Sequence, residues 1–293
     1  WFSYRWTQIF EMGDIPSSCT VMKARKTSDE SLAPFTPAPI DEVVAKILEE
    51  KPEVVFAPHV ETSSGMILPE AYLCAVSDAV HAVGGLFVLD CIASGTLWVD
   101  MEACGIDILI SAPQKGWSGS PCCALVMMNA DARTRIEDTH SSSFACDLKK
   151  WLQIMETYEQ GGHAYHATMP TDSLARFSEV MNETEAYGFD KLRSAQQELG
   201  NKVRATLAER GIKSVAADGF QAPGVVVSYT GDSAIQNGQK FASEGMQIAA
   251  GVPLQCDEPA DFKTFRIGLF GLDKLYDVDA AVKTFADTLD RIR

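Results

Sequence analysis

The sequence has 293 residues, of which 46% are hydrophobic and 22% are charged. A chain of this length and composition can bury a substantial core, which excludes a disordered linker, and no fixed-period repeat is visible. The 40 acidic residues outnumber the 25 basic ones and give a net charge of -15. Because this charge would repel a phosphate backbone, we expect no nucleic-acid partner.

The hydrophobic runs are too short for a membrane helix, which requires roughly twenty apolar residues. The longest are stretches such as CCALVMM at 122–128, so no membrane contact is expected. Eight cysteines are spread along the chain without the pairing rhythm of a disulfide scaffold, which favours a reducing, cytoplasmic location. We interpret the adjacent Cys122 and Cys123 as buried, inert thiols in a strand-like run.

The first residues, WFSYRWTQIF, carry no initiator Met, no basic n-region and no small-residue cleavage site. They do not match a signal peptide and are interpreted as the interior of a longer protein. From residue 41 the pattern alternates between helix and strand. DEVVAKILEE at 41–50 is amphipathic, and EVVFAPH at 53–59 is a short apolar run.

The segment PEAYLCAVSDAVHAVGG predicts a helix that Pro69 opens and Gly84 closes. The apolar stripe of this helix comprises Leu73, Val76, Val80 and Val83. The runs LFVLD at 86–90, DILISA at 107–112 and CCALVMM then predict strands that are covered on both faces. This order of elements is typical of an α/β fold with a mainly parallel sheet.

Beyond Cys146 the pattern changes to helical segments at 147–159 and about 172–210, followed by short strands around PGVVVSYT and TFRIG. We predict a large domain over 1–187 and a smaller C-terminal α+β domain over 188–293. The last helix is predicted to begin at Asp277, a good N-cap. Its apolar face comprises Val278, Val282, Phe285, Leu289 and Ile292.

Polar residues follow the apolar runs, at the strand ends where an open α/β sheet binds its ligands. They are His59, Glu61, Thr62, Asp90 and Lys115. A partly desolvated lysine can attack a carbonyl to form a Schiff base, and a nearby carboxylate can keep a pyridine nitrogen protonated. Asp90 and Lys115 together therefore point to pyridoxal phosphate. Taken singly, each is more often a strand-end cap or a solvated loop residue.

Three segments, HVETSSG at 59–65, VLDCIAS at 88–94 and SAPQKGWSG at 111–119, resemble the class V aminotransferases, pyridoxal phosphate enzymes of fold type I. They are most similar to enzymes that act between alanine or serine and glyoxylate or pyruvate. Family order and spacing extend over essentially the whole chain. The resemblance implies that Lys115 forms the Schiff base and that Asp90 pairs with the pyridinium nitrogen.

The same resemblance implies four further contacts with the cofactor. Thr62 would donate to the ring hydroxyl, and Gln114 would help to hold the phosphate. Phe2, within WFSYRW, would stack on one face of the ring, and Ile92 would lie against the other face. Core packing is the alternative interpretation of both Phe2 and Ile92.

Two C-terminal motifs complete the resemblance. YHATMP at 165–170 is similar to the family segment whose Tyr165 and Thr168 would reach the phosphate of the neighbouring subunit's cofactor, which implies a homodimer with shared active sites. FRIGLFG at 265–271 is similar to the motif whose arginine, here Arg266, would bind the α-carboxylate of the substrate in a bidentate manner. An exposed surface arginine is the alternative interpretation.

The sequence departs from the family at its beginning. Family members normally have a sizeable portion before the stacking aromatic, including a small-residue turn at a helix start that cradles the cofactor phosphate. We therefore expect a large domain that lacks its N-terminal part. The sequence is either a fragment or one part of a longer chain.

Other kinds of site have weaker support. His163 and His166 could be combined with cysteines, but no metal-binding spacing supports them, so no metal is expected. Ser118 misses the spacing of a nucleophile elbow by one residue. Cysteine desulfurases of the superfamily usually carry His before the lysine, so Gln114 favours transamination. Cys256 alone is placed where a desulfurase-like role could be argued.

We predict a pyridoxal phosphate-dependent aminotransferase that moves an amino group from a small amino acid of the alanine or serine type to a 2-oxo acid such as glyoxylate or pyruvate. Lys115 would serve as nucleophile and acid–base catalyst. Two alternatives stay open. One is a pyridoxal phosphate-dependent lyase or cysteine desulfurase-like enzyme, and the other is a catalytically silent protein that keeps the fold.

Overall fold

The computed structural model describes residues 1–293 in a mixed α/β arrangement. The helices are α1 (Arg5–Gly13), α2 (Ile40–Glu50), α3 (Glu70–Ala82), α4 (Ala130–Ile136), α5 (Leu148–Glu159), α6 (Thr171–Tyr187), α7 (Phe189–Glu209), α8 (Ser233–Gln236), α9 (Gln239–Ser243), α10 (Leu272–Tyr276) and α11 (Val278–Ile292). The strands are β1 (Arg25–Lys26), β2 (Phe35–Thr36), β3 (Val54–Pro58), β4 (Val60–Glu61), β5 (Met66–Ile67), β6 (Leu86–Asp90), β7 (Ile108–Ser111), β8 (Leu125–Met128), β9 (Val225–Tyr229), β10 (Ala249–Ala250) and β11 (Thr264–Gly268). None of the helices combines the length and the apolar character that a membrane crossing requires.

The central sheet has the strand order β3-β6-β7-β8, in which β3, β6 and β7 are parallel and β8 pairs with β7 in the antiparallel direction. The register pairs Pro58 with Asp90, and Asp90 with Ile110. The carboxyl ends of the parallel strands, at Pro58, Asp90 and Ser111, therefore form one side of the sheet, which we call the carboxyl edge. The predicted α/β fold with a mainly parallel sheet is confirmed.

The core of this region lies between the sheet and helices α2 and α3. It comprises Ala38, Val43, Ile47, Leu73, Val76, Ala79, Val80, Phe87, Leu89, Cys91, Cys104, Ile106 and Leu109. Helix α3 follows Pro69, and the positive φ of 80° at Gly84 turns the chain away after its last turn. Both ends of this helix were predicted from the sequence.

The prediction for CCALVMM was wrong in two respects. Strand β8 begins only at Leu125, so Cys122 and Cys123 precede it, half-buried and with their Sγ atoms 3.9 Å apart. The strand is also not covered on both faces, because Met127 is 41% exposed. An antiparallel strand at the end of a sheet can leave one face in water, unlike the inner parallel strands.

The C-terminal region contains an antiparallel sheet in the order β10-β11-β9, packed against helices α7 and α11. The helical stretch predicted at about 172–210 is two helices, because the chain breaks at Gly188 with a φ of 107°. The N-cap prediction for the last helix agrees with the structure, where the Asp277 carboxylate accepts the Ala280 N–H at 3.0 Å. A domain boundary at 187 stays a prediction.

Asp107 is a buried carboxylate at the amino end of β7 that joins three elements. It accepts the Phe87 N–H at 2.6 Å, the Asn129 amide at 2.7 Å and a bond from His81 at 2.9 Å. Changing Asp107→Ala leaves a buried N–H without a partner, and we expect it to lower the free energy of unfolding by about 3 kcal/mol. Urea denaturation measures this loss.

Asp100→Ala is the control for this substitution, because the Asp100 carboxylate is exposed and accepts a single backbone N–H, from Ala103 at 3.0 Å. It should cost about 1 kcal/mol or less. Equal losses in the two variants would contradict the stabilising role of Asp107.

Candidate active site

Three polar side chains lie at or just beyond the carboxyl edge because of the parallel strand order. Asp90 is the last residue of β6, and Lys115 lies in the turn that follows β7. Thr62 lies in the turn of the β4–β5 hairpin, directly after β3. The topology therefore brings together residues that are separated by up to 53 positions in the chain.

The Asp90 carboxylate is half-buried, and its surroundings contain groups that raise its pKa and one that lowers it. Burial raises its pKa above the usual range, the Ile92 N–H at 2.9 Å partly offsets that effect, and the negative charge of Glu61 adds to it. None of the groups that shift this pKa is a cation. A cationic ligand group placed here would supply the missing positive charge.

The turn that carries Lys115 packs closely on the loop that follows β6. A Cβ atom at Gly116 would lie 2.0 Å from the carbonyl oxygen of Gly95, so glycine permits this approach of the two backbones. The Lys115 Nζ lies 5.9 Å from the ring centroid of Phe270, which follows β11. The neighbour of this amine is therefore an aromatic ring and not a carboxylate.

The hairpin that holds Thr62 is fixed against the C-terminal sheet. Gly65 ends its turn with a φ of 68°, and a Cβ atom there would lie 2.8 Å from the Val225 carbonyl oxygen. Ser63 and Ser64 are buried, whereas Thr62 is half-buried at the rim of the turn. The hydroxyl of Thr62 is thus carried by a rigid turn at the carboxyl edge.

Arg266 and Phe2 are in contact, although 263 residues lie between them. The guanidinium carbon lies 5.2 Å from the Phe2 ring centroid, and Nε donates to the Ala250 carbonyl at 2.8 Å. Burial lowers the pKa of Arg266, and the charge of Glu61 opposes that shift. The side chain uses Nε alone for hydrogen bonding within the chain, so its forked end can bind a carboxylate.

The contacts of the four other predicted residues do not test their roles. Ile92 is half-buried two residues after Asp90, and Gln114 is exposed next to Lys115. Tyr165 and Thr168 lie on an exposed segment before α6, where their hydroxyls are 3.4 Å from each other. Within the chain these two hydroxyls contact one another and no group of the carboxyl edge. The roles of these four residues stay predictions.

Two of the predicted polar strand-end residues, His59 and Glu61, have partners within the chain. His59 is buried, its Nδ1 lies 2.7 Å from the Ser94 hydroxyl, and burial lowers its pKa to about 4, so the ring is neutral at pH 7. Glu61 accepts hydrogen bonds from Phe2, Ser3 and Ser63. In the sequence, the signal that could have indicated a role for Glu61 is its position directly before Thr62.

The remaining candidates have structural surroundings. The His166 ring lies against Phe144 at a tilt of 36°, with the ring centroids 4.2 Å apart, and no group of three or more His, Cys, Asp or Glu side chains could hold a metal ion. Burial raises the pKa of the Cys256 thiol, which disfavours the thiolate that sulfur transfer requires. Ser118 accepts the Leu272 N–H through its hydroxyl at 3.1 Å.

The donor set at the carboxyl edge fits pyridoxal phosphate. A primary amine at Lys115, a carboxylate without a cationic neighbour at Asp90 and a hydroxyl at Thr62 match the aldehyde, ring nitrogen and ring hydroxyl of that cofactor. The arginine that could bind a substrate carboxylate comes from the C-terminal sheet. These are the residue types that a pyridoxal phosphate site requires.

Comparison with solved structures shows the same fold in fold type I aminotransferases. Alanine–glyoxylate aminotransferase from Nostoc sp. superposes with a TM-score of 0.74 at 18% identity, covering 88% of this chain and 67% of that chain. Ureidoglycine–glyoxylate aminotransferase from Bacillus subtilis has a TM-score of 0.71 at 21% identity, covering 88% of this chain and 64% of that one.

The model of the class V aminotransferase family matches residues 34–262, and the chain belongs to this family. It is 26% identical to alanine–glyoxylate aminotransferase from Callithrix jacchus over 245 residues, which are 79% of this chain and 56% of the relative. It is also 26% identical to 2-aminoethylphosphonate–pyruvate transaminase from Burkholderia ambifaria over 236 residues, which are 80% of this chain and 61% of the relative. The chain thus spans little more than half the length of these relatives. Pyridoxal phosphate is the cofactor of the family.

Proposed function

We propose that this chain acts in a pyridoxal phosphate-dependent transaminase that moves an amino group from a small amino acid of the alanine or serine type to a 2-oxo acid such as glyoxylate or pyruvate. The carrying observation is that Asp90, Lys115 and Thr62 all lie at or beyond the ends of strands at the carboxyl edge, and that the Lys115 Nζ lies 5.9 Å from the ring of Phe270, four residues after Arg266. When bound, the cofactor supplies an electron sink for the carbanion at the substrate's α carbon.

Each protein group has a separate task in this proposal. Lys115 would hold the cofactor by its aldehyde group, and its amine would accept the proton removed from the substrate's α carbon. Asp90 keeps the ring nitrogen protonated, and Thr62 donates to the ring hydroxyl. Arg266 orients the substrate by its α-carboxylate, so that the α C–H bond is held in place for removal. Phe2 and Ile92 enclose the ring, and Gln114 helps to hold the phosphate.

The named relatives support both the reaction class and the acceptor. One is an alanine–glyoxylate aminotransferase and another a 2-aminoethylphosphonate–pyruvate transaminase, so both combine an amino donor with a small 2-oxo acid. The test is a panel of amino donors against glyoxylate and pyruvate, using the full-length protein with added pyridoxal phosphate. Amino transfer to either acceptor supports the proposal. A wild-type protein that binds no cofactor, or transfers no amino group, contradicts it.

The alternative reactions are separated by their products. A lyase or desulfurase releases ammonia or sulfide without a 2-oxo acid acceptor. The raised pKa of Cys256 disfavours the desulfurase, because a thiol is a weaker nucleophile than a thiolate. A silent protein would leave both the absorption spectrum of pyridoxal phosphate and the donor panel unchanged.

Arg266→Leu should raise the KM for amino-acid donors about 100-fold, because the substrate carboxylate loses a bidentate, partly desolvated partner. Arg266→Lys keeps the charge without the fork and should have an intermediate effect. Steady-state kinetics with each donor measures the change. An amine that lacks the carboxylate is the control substrate, since its KM should be the same in the wild type and Arg266→Leu. A similar KM increase for both substrates would remove Arg266 from this role.

We further propose a homodimer whose active sites are shared. Tyr165 is 71% exposed in the single chain, and the nearby Phe144 is 72% exposed, so this segment has apolar surface for a second copy to cover. Light scattering measures the oligomeric state. Mixing Lys115→Ala protein with a Tyr165→Phe, Thr168→Ala double variant tests the sharing, because only mixed dimers would contain one intact site. Activity that does not rise on mixing contradicts shared sites.

The proposed location is the reducing cytoplasm. Eight cysteines without a disulfide-scaffold spacing suit a compartment that keeps thiols reduced. Fractionation of cells that express the full-length protein tests this location, and recovery in a secreted or organellar fraction would contradict it.

A further inference from the structure

Glu61 is a largely buried carboxylate directly before Thr62, and it has no role in the proposed reaction. It is the last residue of β4, and only 13% of its side chain is exposed. Its Oε1 accepts the Ser63 N–H at 2.9 Å, the Ser63 hydroxyl at 2.8 Å and the Phe2 N–H at 3.3 Å. Its Oε2 accepts the Ser3 N–H at 2.8 Å and the Ser3 hydroxyl.

These donors make the negative charge of Glu61 a structural requirement. Five N–H and O–H groups point at the carboxylate. A buried carboxylate is stable only when such bonds replace the lost water, and hydrogen bonds to a charged acceptor are stronger than those to a neutral one. The bonds come from two distant stretches, residues 2–3 and residue 63, so the carboxylate holds the two stretches together.

Both stretches carry groups of the proposed site. Phe2 is on the first, and Thr62 lies between Glu61 and Ser63 on the second. The charge of Glu61 also acts on Arg266, whose guanidinium carbon lies 5.2 Å from the Phe2 ring centroid. Glu61 thus attracts the guanidinium of Arg266 and also binds the backbone of Phe2, whose ring the guanidinium contacts. A cation over an aromatic face is a favourable pair, so moving the ring would also move the arginine.

We propose that Glu61 is a positioning residue whose ionised carboxylate fixes Phe2 against Arg266 and thereby sets where the substrate carboxylate and the cofactor ring are held. The inference rests on the proposed function and extends it to a residue that touches neither substrate nor cofactor. It assigns to the charge of Glu61 a role in substrate affinity that packing alone would not give.

Glu61→Gln tests the charge, because glutamine has the same size but turns one acceptor into an NH₂ donor that faces other donors. We expect the KM for amino-acid donors to rise about tenfold, with kcat reduced about threefold or less, because the proton-moving groups stay in place. The circular dichroism of the bound cofactor should lose about half of its amplitude, because a displaced Phe2 changes the asymmetry of the ring's surroundings. Ser3→Ala removes one donor. It should also raise the KM and reduce the dichroism of the cofactor, each by a smaller factor than Glu61→Gln does.

Glu258→Gln is the matched control. The Glu258 carboxylate also accepts three backbone N–H groups, from Leu254 at 2.6 Å, Gln255 at 2.9 Å and Cys256 at 2.7 Å, but it has no bond to Phe2. The proposal requires the KM and the cofactor dichroism of this control to stay within about twofold of wild type.

Three outcomes would overturn the inference. The first is a folded Glu61→Gln protein with wild-type KM and cofactor dichroism, and the second is an equal change in Glu61→Gln and Glu258→Gln. If Glu61→Gln does not fold, as judged by thermal unfolding, an unchanged KM in Ser3→Ala is the third. A wild-type protein that binds no pyridoxal phosphate contradicts the proposed function itself, so the two failures are distinguishable.

Discussion

Lys115→Ala is expected to abolish amino transfer, with turnover reduced by about 10⁴-fold or more. The reason is that one amine serves both as the covalent anchor of the cofactor and as the group that moves the α proton. Lys115 is the only lysine between β7 and β8, and its Nζ lies 5.9 Å from the ring centroid of Phe270. Steady-state assays with the best donor of the panel measure the loss.

Covalent attachment provides a second measurement on the same variant. Wild-type protein reduced with borohydride in the presence of pyridoxal phosphate should gain the mass of one cofactor per chain, and Lys115→Ala should gain none at this site. Lys191→Ala is the matched control, because the Lys191 Nζ also lies over an aromatic ring, 3.9 Å from the centroid of Tyr187. A Lys115→Ala protein with normal turnover, or with the same labelled peptide, would exclude Lys115 from its role.

Asp90→Asn is expected to lower turnover by about 10³-fold while leaving the fold intact. Asparagine is nearly isosteric and can still accept the Ile92 N–H, which Asp90 accepts at 2.9 Å. It cannot provide the negative charge that keeps a ring nitrogen protonated, so the electron sink is weakened. Asp100→Asn is the control. The Asp100 carboxylate accepts a single backbone N–H, from Ala103 at 3.0 Å, and it does not belong to the site. Equal activity in the two variants would contradict the role of Asp90.

The raised pKa of Asp90 also predicts a pH dependence of cofactor binding. In the free protein, burial raises the pKa of this carboxyl, so protonation begins at a higher pH than usual. A cationic ring nitrogen favours the charged carboxylate and lowers its pKa in the complex. Affinity for pyridoxal phosphate should therefore fall as the pH drops from the raised pKa of the free protein towards the lower pKa of the complex. Asparagine does not titrate, so titrations of Asp90→Asn should lack this component.

The two sheets supply different residues to the candidate site. The parallel sheet supplies Lys115 and Asp90 from neighbouring strand ends, whose register is fixed by the pairing of Asp90 with Ile110. The antiparallel sheet supplies Arg266 from its central strand β11. A cofactor would be held by the first sheet and a substrate oriented by the second. A substitution at Gly65, whose turn packs against Val225 and Val227 of β9, should therefore affect KM and kcat together.

Local patterns predicted the elements that have strong internal signals. The 3.6-residue periodicity of α3 and α11 and the capping residue Asp277 depend on neighbours within a few positions, so no tertiary information is required. The continuous apolar run of β6 likewise predicted a strand buried on both faces. The break at Gly188 and the exposed face of β8 were missed, because a helix break depends on backbone conformation and exposure depends on a strand's place in the sheet.

The sequence by itself determined the class of fold, the cofactor chemistry that Lys115 and Asp90 suggest, and the family that their motifs resemble. Residue types and spacings carry this information, because strand ends and helix caps are local features. Only the tertiary structure decided that Phe2 contacts Arg266 and that Glu61 binds the segment on which Phe2 lies. Contacts between residues 59 and 264 positions apart depend on how two sheets pack, and no local pattern specifies that packing.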